Sequence, residues 1–344
     1  MKEKFLQKEQ FPKFINELMN RYPVYAPIKK NGFHVFEKIS SPKIIDLEYS
    51  NTKIPPKELF FPRAETLFSY AKSKEGIDLI QDSHPDETRV ILGIRPCDVL
   101  SFLLLDKFFN SGKFQDPYYQ KRRENSLIIG LLCADPQSTC FCTSTGGSPF
   151  SEAGMDISLT DLEDKYLVKS LNIKGDQLLE QIPWLGTASE RDIFDATRRA
   201  KKALASIKTE IPIEKLSDKL EKLFNNDAFW SPFSQKCINC GSCSFLCPTC
   251  HCFDVVDEKT STGGKRIRLW DTCQFTLFTQ HGSGHNPRPT GKERIRQRIM
   301  HKFCYYPKTL NEIGCVGCGR CIRVCSVNQD IRSIFKAVQE VEGG

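Results

Sequence analysis

Two continuous apolar runs in the first half of the chain predict buried strands. TRVILGIRPCDVLSFLLL (88–105) is typical of a strand, a proline-marked turn and a helix that begins near Asp98, and SLIIGLLC (126–133) is typical of a second strand. Strands without polar alternation are found in parallel sheets that are covered on both faces, and the segment between these two is long enough for a crossover helix. The pattern therefore predicts an α/β domain with a mainly parallel or mixed sheet.

Shorter patterns predict outer strands and then helices. YPVYAPI (22–28) and GFHVFEKI (32–39) predict strands of the same domain, and DISLTDL (156–162) with KYLVKSL (165–171) predicts a hairpin or edge strands. From about residue 190 the apolar spacing becomes helical, and one face of a helix over 215–224 collects Leu216, Leu220, Leu223 and Phe224. We expect an α/β domain over 1–189, a helical bridge over 190–228 and a further domain over 229–344.

The last third of the chain contains two copies of the cysteine pattern CxxCxxCxxxC. Three thiolates at this spacing hold one [4Fe-4S] cluster, and the fourth, a helical turn further on, ligates the other cluster in two-cluster ferredoxins. Zinc is the main rival because CxxC pairs also form zinc sites, but zinc usually takes two separate pairs. The runs predict one cluster on Cys237, Cys240, Cys243 and Cys325, and another on Cys315, Cys318, Cys321 and Cys247.

The two cysteine runs are separated by the 67 residues from 248 to 314, which is more than a compact bacterial ferredoxin needs. Within them, KERIRQRIMHKFCYY (292–306) has an apolar stripe of Ile295, Ile299 and Phe303 with basic residues over much of the rest. We therefore expect an α-helical ferredoxin domain. The basic side chains are interpreted as a solvated face, or as a docking face for an acidic partner, rather than as a nucleic-acid reader.

A third set of cysteines belongs to the predicted α/β domain. Cys97 and Cys133 each follow a predicted strand, and the carboxyl ends of parallel strands share one edge of a sheet. The four converging thiols, Cys97, Cys133, Cys140 and Cys142, predict a third [4Fe-4S] cluster. The alternative is that Cys97 packs under the helix and the other three are loop thiols.

Three more cysteines are left over, namely Cys250, Cys252 and Cys273. They could form a further metal site or pack as buried thiols near the clusters, and the sequence leaves both possibilities open.

Composition narrows the class of protein. The 344 residues include 16 cysteines in short clustered spacings, which favours metal ligation in a reducing compartment over a disulfide framework. No signal-peptide core and no apolar run long enough to span a membrane occurs, so we expect a cytoplasmic protein. The formal charge of +7 would fall to roughly +1 with three clusters of about −2 each, which weakens the case for nucleic-acid binding.

The sequence has no GxGxxG after a strand and no Walker loop, so we expect this chain to bind no NAD or flavin by itself.

Motifs in order along nearly the whole chain are similar to one family. GIRPCD, LLCADPQSTCFC, CPTCHCFDVVD, RLWDTCQF, GHNPRP and CVGCGRC resemble the iron-sulfur beta subunit of sulfhydrogenase-type cytosolic [NiFe] hydrogenases, and also the corresponding iron-sulfur subunit of anaerobic sulfite reductase. The resemblance implies an electron-transfer subunit without catalytic residues of its own. It would relay single electrons between a subunit that binds FAD and NAD(P) and a catalytic subunit such as a [NiFe] hydrogenase. The equivalent subunit of a siroheme sulfite reductase, or of a heterodisulfide-reductase-associated flavin complex, is the alternative.

Overall fold

The computed structural model describes residues 3–80 and 87–341, and this part of the chain forms two sheets and a helical region. The strands are β1 (Glu3–Gln7), β2 (Val24–Lys30), β3 (Phe33–Lys38), β4 (Ala64–Lys72), β5 (Ile77–Ile80), β6 (Arg89–Ile94), β7 (Ser126–Leu131), β8 (Ile157–Asp161), β9 (Lys165–Ser170), β10 (Gly186–Thr187), β11 (Phe253–Lys259) and β12 (Gly263–Trp270). The helices are α1 (Phe11–Met19), α2 (Pro96–Phe109), α3 (Pro117–Glu124), α4 (Ile173–Glu180), α5 (Glu190–Ser206), α6 (Leu216–Lys222), α7 (Asp227–Gln235), α8 (Ser242–Phe245), α9 (Gly291–Met300), α10 (Tyr306–Leu310), α11 (Arg320–Arg323) and α12 (Ile331–Glu340). A π-helical turn, His301–Tyr305, joins α9 to α10.

The larger sheet is mixed, as predicted. Its order is β10-β1-β9-β8-β7-β6-β2-β3, and the pairs β2/β6, β6/β7 and β7/β8 are parallel. Every residue of β7 and nearly every residue of β6 is buried, which explains their continuous apolar sequences. The crossover helix α2 begins at Pro96, two residues before the predicted start, because proline suits the first turn of a helix. The predicted strands β2 and β3 are present and pair antiparallel, and β8 and β9 form a hairpin, one of the two arrangements predicted for them.

A second, four-stranded antiparallel sheet was not predicted. Its order is β11-β12-β4-β5, so a hairpin from between the two cysteine runs pairs with a hairpin from the first eighty residues. Seven residue pairs join β12 to β4, from Gly263↔Ala71 to Leu269↔Ala64. The segment between the cysteine runs is therefore partly β-structure, and this sheet connects it to the N-terminal part of the chain.

Helices α6, α7, α9 and α12 share one apolar core. The predicted stripe on α6 is buried there together with the predicted stripe on α9 and the turn after it, and Trp230 and Phe335 complete the centre. Both α5 and α9 begin with a capping box, in which Ser189 with Asp192 and Thr290 with Glu293 satisfy the free N–H groups of the first turn. Outside the β11–β12 hairpin, the regular structure of the described residues after 190 is helical. In the described residues, no helix is both long and apolar enough to cross a membrane.

Candidate metal centre

The first cysteine run and the last cysteine of the second run line one cavity. Its walls include all four thiols predicted for the first cluster, Cys237, Cys240, Cys243 and Cys325, together with Cys321. Backbone N–H groups donate to two of these sulfurs, from Asn239 to Cys237 at 3.4 Å and from Gln329 to Cys325 at 3.2 Å. Amide donors of this kind stabilise thiolate charge and tune the potential of a cluster.

The sequence repeat of the two runs is also a structural repeat. In both runs a short helix carries the third cysteine, Cys243 in α8 and Cys321 in α11. In both, the second and fourth residues after the first cysteine have positive φ; these residues are Asn239, Gly241, Gly317 and Gly319. The two loops are thus built in the same way, and the fourth cysteine of each lies beyond the short helix.

Of the thiols predicted for the second cluster, Cys247 and Cys318 are buried, and Cys315 and Cys321 are partly buried. Burial raises the pKa of Cys315 to about 12, that of Cys321 to about 11, and also that of Cys318. A charge on Cys247 adds to the increase at all three, so this residue of the first run lies beside the second run. This placement fits the prediction that the fourth cysteine of the first run, Cys247, is a ligand of the second cluster.

The N-terminal cysteines converge on another cavity. Cys97 lies in the first turn of α2 directly after β6, and Cys133 follows β7. Because β6 and β7 are parallel neighbours, both residues lie at the same edge of the sheet. The cavity is lined by all four predicted thiols, Cys97, Cys133, Cys140 and Cys142, and by Gly317 and Cys318 of the second run.

The loops that carry the second and third sets are in direct contact. The N–H of Phe141 donates to the carbonyl of Gly317 at 2.8 Å. Gly317 has a φ of +60°, and a Cβ at this position would lie 2.5 Å from the backbone nitrogen of Cys142. Only glycine fits such an approach, so the two sets of thiols are held side by side.

The leftover cysteines form two separate pairs with other thiols. The adjacent Cys250 thiol lowers the pKa of the Cys247 thiol. The adjacent Cys252 thiol lowers the pKa of Cys273 to about 6. Within the described residues, 3–80 and 87–341, no three His, Cys, Asp or Glu side chains are grouped closely enough to hold a single metal ion. A cubane is different, because each of its four irons takes one thiolate and the ligands line a cavity.

Three buried cations lie among the cysteines. Lys57 donates to the carbonyl of Cys250 at 2.5 Å, Arg298 donates to the carbonyl of Cys243 at 3.4 Å, and Lys302 donates to Thr249 Oγ1 at 2.7 Å. In the described part of the chain none of the three pairs with a carboxylate, and Nε of Arg298 is buried without a hydrogen-bond partner. A buried charge without a counter-charge costs several kcal/mol. Anionic clusters held by the neighbouring cysteines would supply that counter-charge, so the residues present fit the predicted groups.

The pKa values show the same preference for an anion. Burial alone would lower the pKa of Arg298 and Lys302, but the charges of nearby cysteines outweigh it and raise both. At Lys57 burial prevails and lowers the pKa to about 8. The cysteines are therefore the groups that compensate two of the three buried cations.

A buried ion pair anchors the second run to the α/β domain. Arg320 lies between Cys318 and Cys321, and its guanidinium makes two hydrogen bonds to Asp98 on α2, at 2.7 and 2.8 Å. The same guanidinium donates to the carbonyl of Thr52 at 2.7 Å. The Arg320 side chain is 2% exposed and that of Asp98 is 0% exposed. The pair fixes the loop of the second run against the first turn of α2, where Cys97 is located.

The expectation of a solvated basic face near α9 was wrong. Arg294, Arg298 and Lys302 are all buried, at 6%, 9% and 4% exposure. Their spacing of four residues places them on one side of the helix, next to the apolar stripe. This regular spacing was the sequence signal from which their burial could have been predicted. Lys57 had no comparable signal, because it is a single lysine in a short 3-10 turn.

Comparison with known proteins agrees with an iron-sulfur site at these cysteines. Residues 236–329 match the 4Fe-4S dicluster domain family, which makes the part of the chain with both cysteine runs an iron-sulfur module of that class. Over 337 residues, the chain is 32% identical to sulfhydrogenase 2 subunit beta of Pyrococcus furiosus, covering 97% of this chain and 98% of the relative. The chain belongs to this family of sulfhydrogenase beta subunits, which confirms the resemblance. No solved structure matches it. These findings support an iron-sulfur electron-transfer subunit.

Proposed function

We propose that this chain is a relay subunit with three [4Fe-4S] clusters in a row. The observation that carries the proposal is the convergence of three cysteine sets at adjoining positions. Cluster 1 is assigned to Cys237, Cys240, Cys243 and Cys325, cluster 2 to Cys315, Cys318, Cys321 and Cys247, and cluster 3 to Cys97, Cys133, Cys140 and Cys142. Each cluster, when bound, takes up and releases one electron.

The order of the three sites follows from shared residues. Cys321 lies both in the set of cluster 2 and on the wall of the first cavity, while Cys318 and Gly317 reach the third cavity. Cluster 2 is therefore the middle station. One end of the path lies at Cys240, which is exposed, and the other lies at the edge of the α/β sheet.

The partners are proposed from the family. A beta subunit of a sulfhydrogenase belongs to a complex with other subunits, so we assign one end of the path to an FAD- and NAD(P)-binding subunit. We assign the other end to a catalytic subunit of the [NiFe] hydrogenase type. The chain itself would bind no flavin or nicotinamide and would not be catalytic alone. We also propose that 229–344 is an α-helical ferredoxin domain, 190–228 a helical bridge and 1–189 the α/β domain of cluster 3.

Iron analysis tests the cluster assignment. Anaerobically reconstituted full-length protein should contain about twelve irons, and the double variant Cys140→Ser, Cys142→Ser should contain about eight. Cys304→Ser is the matched control, because Cys304 is buried in the helical core and belongs to none of the three sets. Equal iron content in the double variant and the wild type would refute the assignment of cluster 3. Fewer than eight irons in the wild type would contradict the whole proposal.

The relay itself needs the native complex. Purification of the tagged chain from its own host should bring down a flavoprotein and a nickel protein, and reduced nicotinamide should reduce the clusters only when the flavoprotein is present. Reduction of the clusters by nicotinamide with the isolated chain would refute the division of labour, and a siroheme partner in place of nickel would refute the assignment to hydrogenase.

A further inference from the structure

Lys302 occupies an unusual backbone position. It is the second residue of the π-helical turn between α9 and α10, and such turns occur frequently at functional sites because the extra residue redirects side chains. The turn lies directly against the residue that precedes Cys315: the N–H of Gly314 donates to the carbonyl of Lys302 at 2.8 Å. A Cβ on Gly314 would come within 3.1 Å of Cα of Lys302, so glycine permits this close packing.

The ammonium group joins the two segments that carry the ligands of cluster 2. Nζ of Lys302 donates to Thr249 Oγ1 and to the carbonyl of Gly314, both at 2.7 Å. The Thr249 hydroxyl is itself 3.2 Å from Sγ of Cys247, and Gly314 is followed by Cys315. The positive charge is thus fixed between the backbone near Cys247 and the backbone near Cys315.

The surroundings of the three sites differ in charge. Lys302 is 4% exposed, and the ionisable groups that act on it include the thiols Cys247, Cys250 and Cys315 and the cations Arg298 and Lys57. At cluster 1, Cys240 is exposed to water, which screens charge. At cluster 3, the carboxylate of Asp98 acts on Cys97 and opposes the charge of Arg320. Arg298 is a second buried cation, and it lies at the cavity of cluster 1. Lys302 differs from it in its two hydrogen bonds to the segments that carry Cys247 and Cys315.

We propose that Lys302 is a potential-setting residue that makes cluster 2, the middle station, easier to reduce. The inference rests on the proposed function. A one-electron reduction changes the net charge of a cubane and its four thiolates from roughly −2 to −3. A fixed cation in a buried, low-dielectric site stabilises the more negative state more strongly. The reduced state of cluster 2 would therefore be more stable with Lys302 present than without it.

The test compares Lys302→Met with Lys302→Arg in the reconstituted full-length protein. Potentials are measured by a redox titration followed by electron paramagnetic resonance. Lys302→Met should shift one signal to a more negative midpoint potential and leave the others in place, whereas Lys302→Arg should stay near the wild type. The shifted signal should be the one that Cys318→Ser alters, and the shift should persist in protein that also lacks Cys140 and Cys142. Lys308→Met is the matched control, because Lys308 lies on the surface beside Glu221 and should shift nothing.

Each other outcome overturns the inference. An unchanged midpoint at full iron content would show that Lys302 has only a structural role, and an equal shift of all signals would show a general effect on the protein. Loss of about four irons in both Lys302→Met and Lys302→Gln would assign the cation to cluster assembly instead. Failure of the proposed function is seen separately, since it would leave the wild type short of iron before any variant is titrated.

Discussion

The buried pair of Arg320 and Asp98 predicts an asymmetric response to mutation. Arg320→Met would leave the Asp98 carboxylate, which is 0% exposed, without its cation and next to Cys97. It would also leave the carbonyl of Thr52 without its donor. Removal of one partner of a buried pair costs about 3 to 5 kcal/mol, so we expect a loss of that size in the free energy of unfolding.

The variant of the other partner, Asp98→Asn, should lower the free energy of unfolding by less. Asp98→Asn would leave the Arg320 guanidinium buried, but Cys318 and Cys97 also act on this cation, and cluster 2 would provide further negative charge. We expect the free energy of unfolding to fall by about 1 to 2 kcal/mol, because the hydrogen bond to the charged guanidinium is weakened and not lost. The difference between the two variants measures how much of the counter-charge of Arg320 comes from the cluster side.

Anaerobic urea unfolding of the cluster-loaded protein gives both values, provided that the slope with urea does not change between variants. Arg323→Met is the control, because Arg323 follows one turn later but hydrogen-bonds near the surface to Thr139 and Asn51; it should cost less than about 1 kcal/mol. The reasoning is refuted if Asp98→Asn is as destabilising as Arg320→Met, because the guanidinium would then depend on Asp98 alone.

Two further predictions concern the contact of the loops and the buried His251. Gly317→Ala should destabilise the protein and reduce its iron content, because the new methyl group would collide with the backbone of Cys142. In the control Gly146→Ala, φ is similar, at +80°, but the space around the residue is open, so this variant should show only the backbone strain of about 1 to 2 kcal/mol. Equal effects of the two variants in urea unfolding would argue against the close contact. His251 is buried beside Phe108 and its pKa is lowered to about 3, mainly by burial. The unfolded chain therefore binds the proton first, and stability present above pH 6.5 is lost as the pH falls towards 3, by up to about 1.4 kcal/mol per pH unit. His251→Phe should flatten the dependence of urea unfolding on pH between 6.5 and 5, and an unchanged slope would contradict this assignment.

The sequence was most informative where one local pattern decides the structure. The apolar runs at β6 and β7 predicted parallel strands because no other structure buries such runs so simply, and Cys97 and Cys133 were placed at one edge by that topology alone. The stripe on α6 was equally direct, since its leucines meet at helical spacing in the core.

The pairing of β4 with β12 had no such local signal. The two strands are almost 200 residues apart. Most residues of β4 are partly buried, without the alternation that marks a strand with one buried face. The buried cations were missed for an energetic reason. A lysine or arginine is normally solvated, and only the charge of a cluster, which the sequence shows through other residues, reverses that preference at Arg298 and Lys302.

The sheet formed by β4 and β12 also has a consequence for biosynthesis. A ribosome releases residues 64–72 long before residues 263–270, so β4 has no partner on β12 while most of the chain is still being made. The second cysteine run emerges later still, and its loop packs on the loop of Cys140 and Cys142. The third site would therefore be left open during translation until the second cysteine run has emerged and packed against it. Delivery of iron and sulfide to that site would have to be timed to this last step of folding.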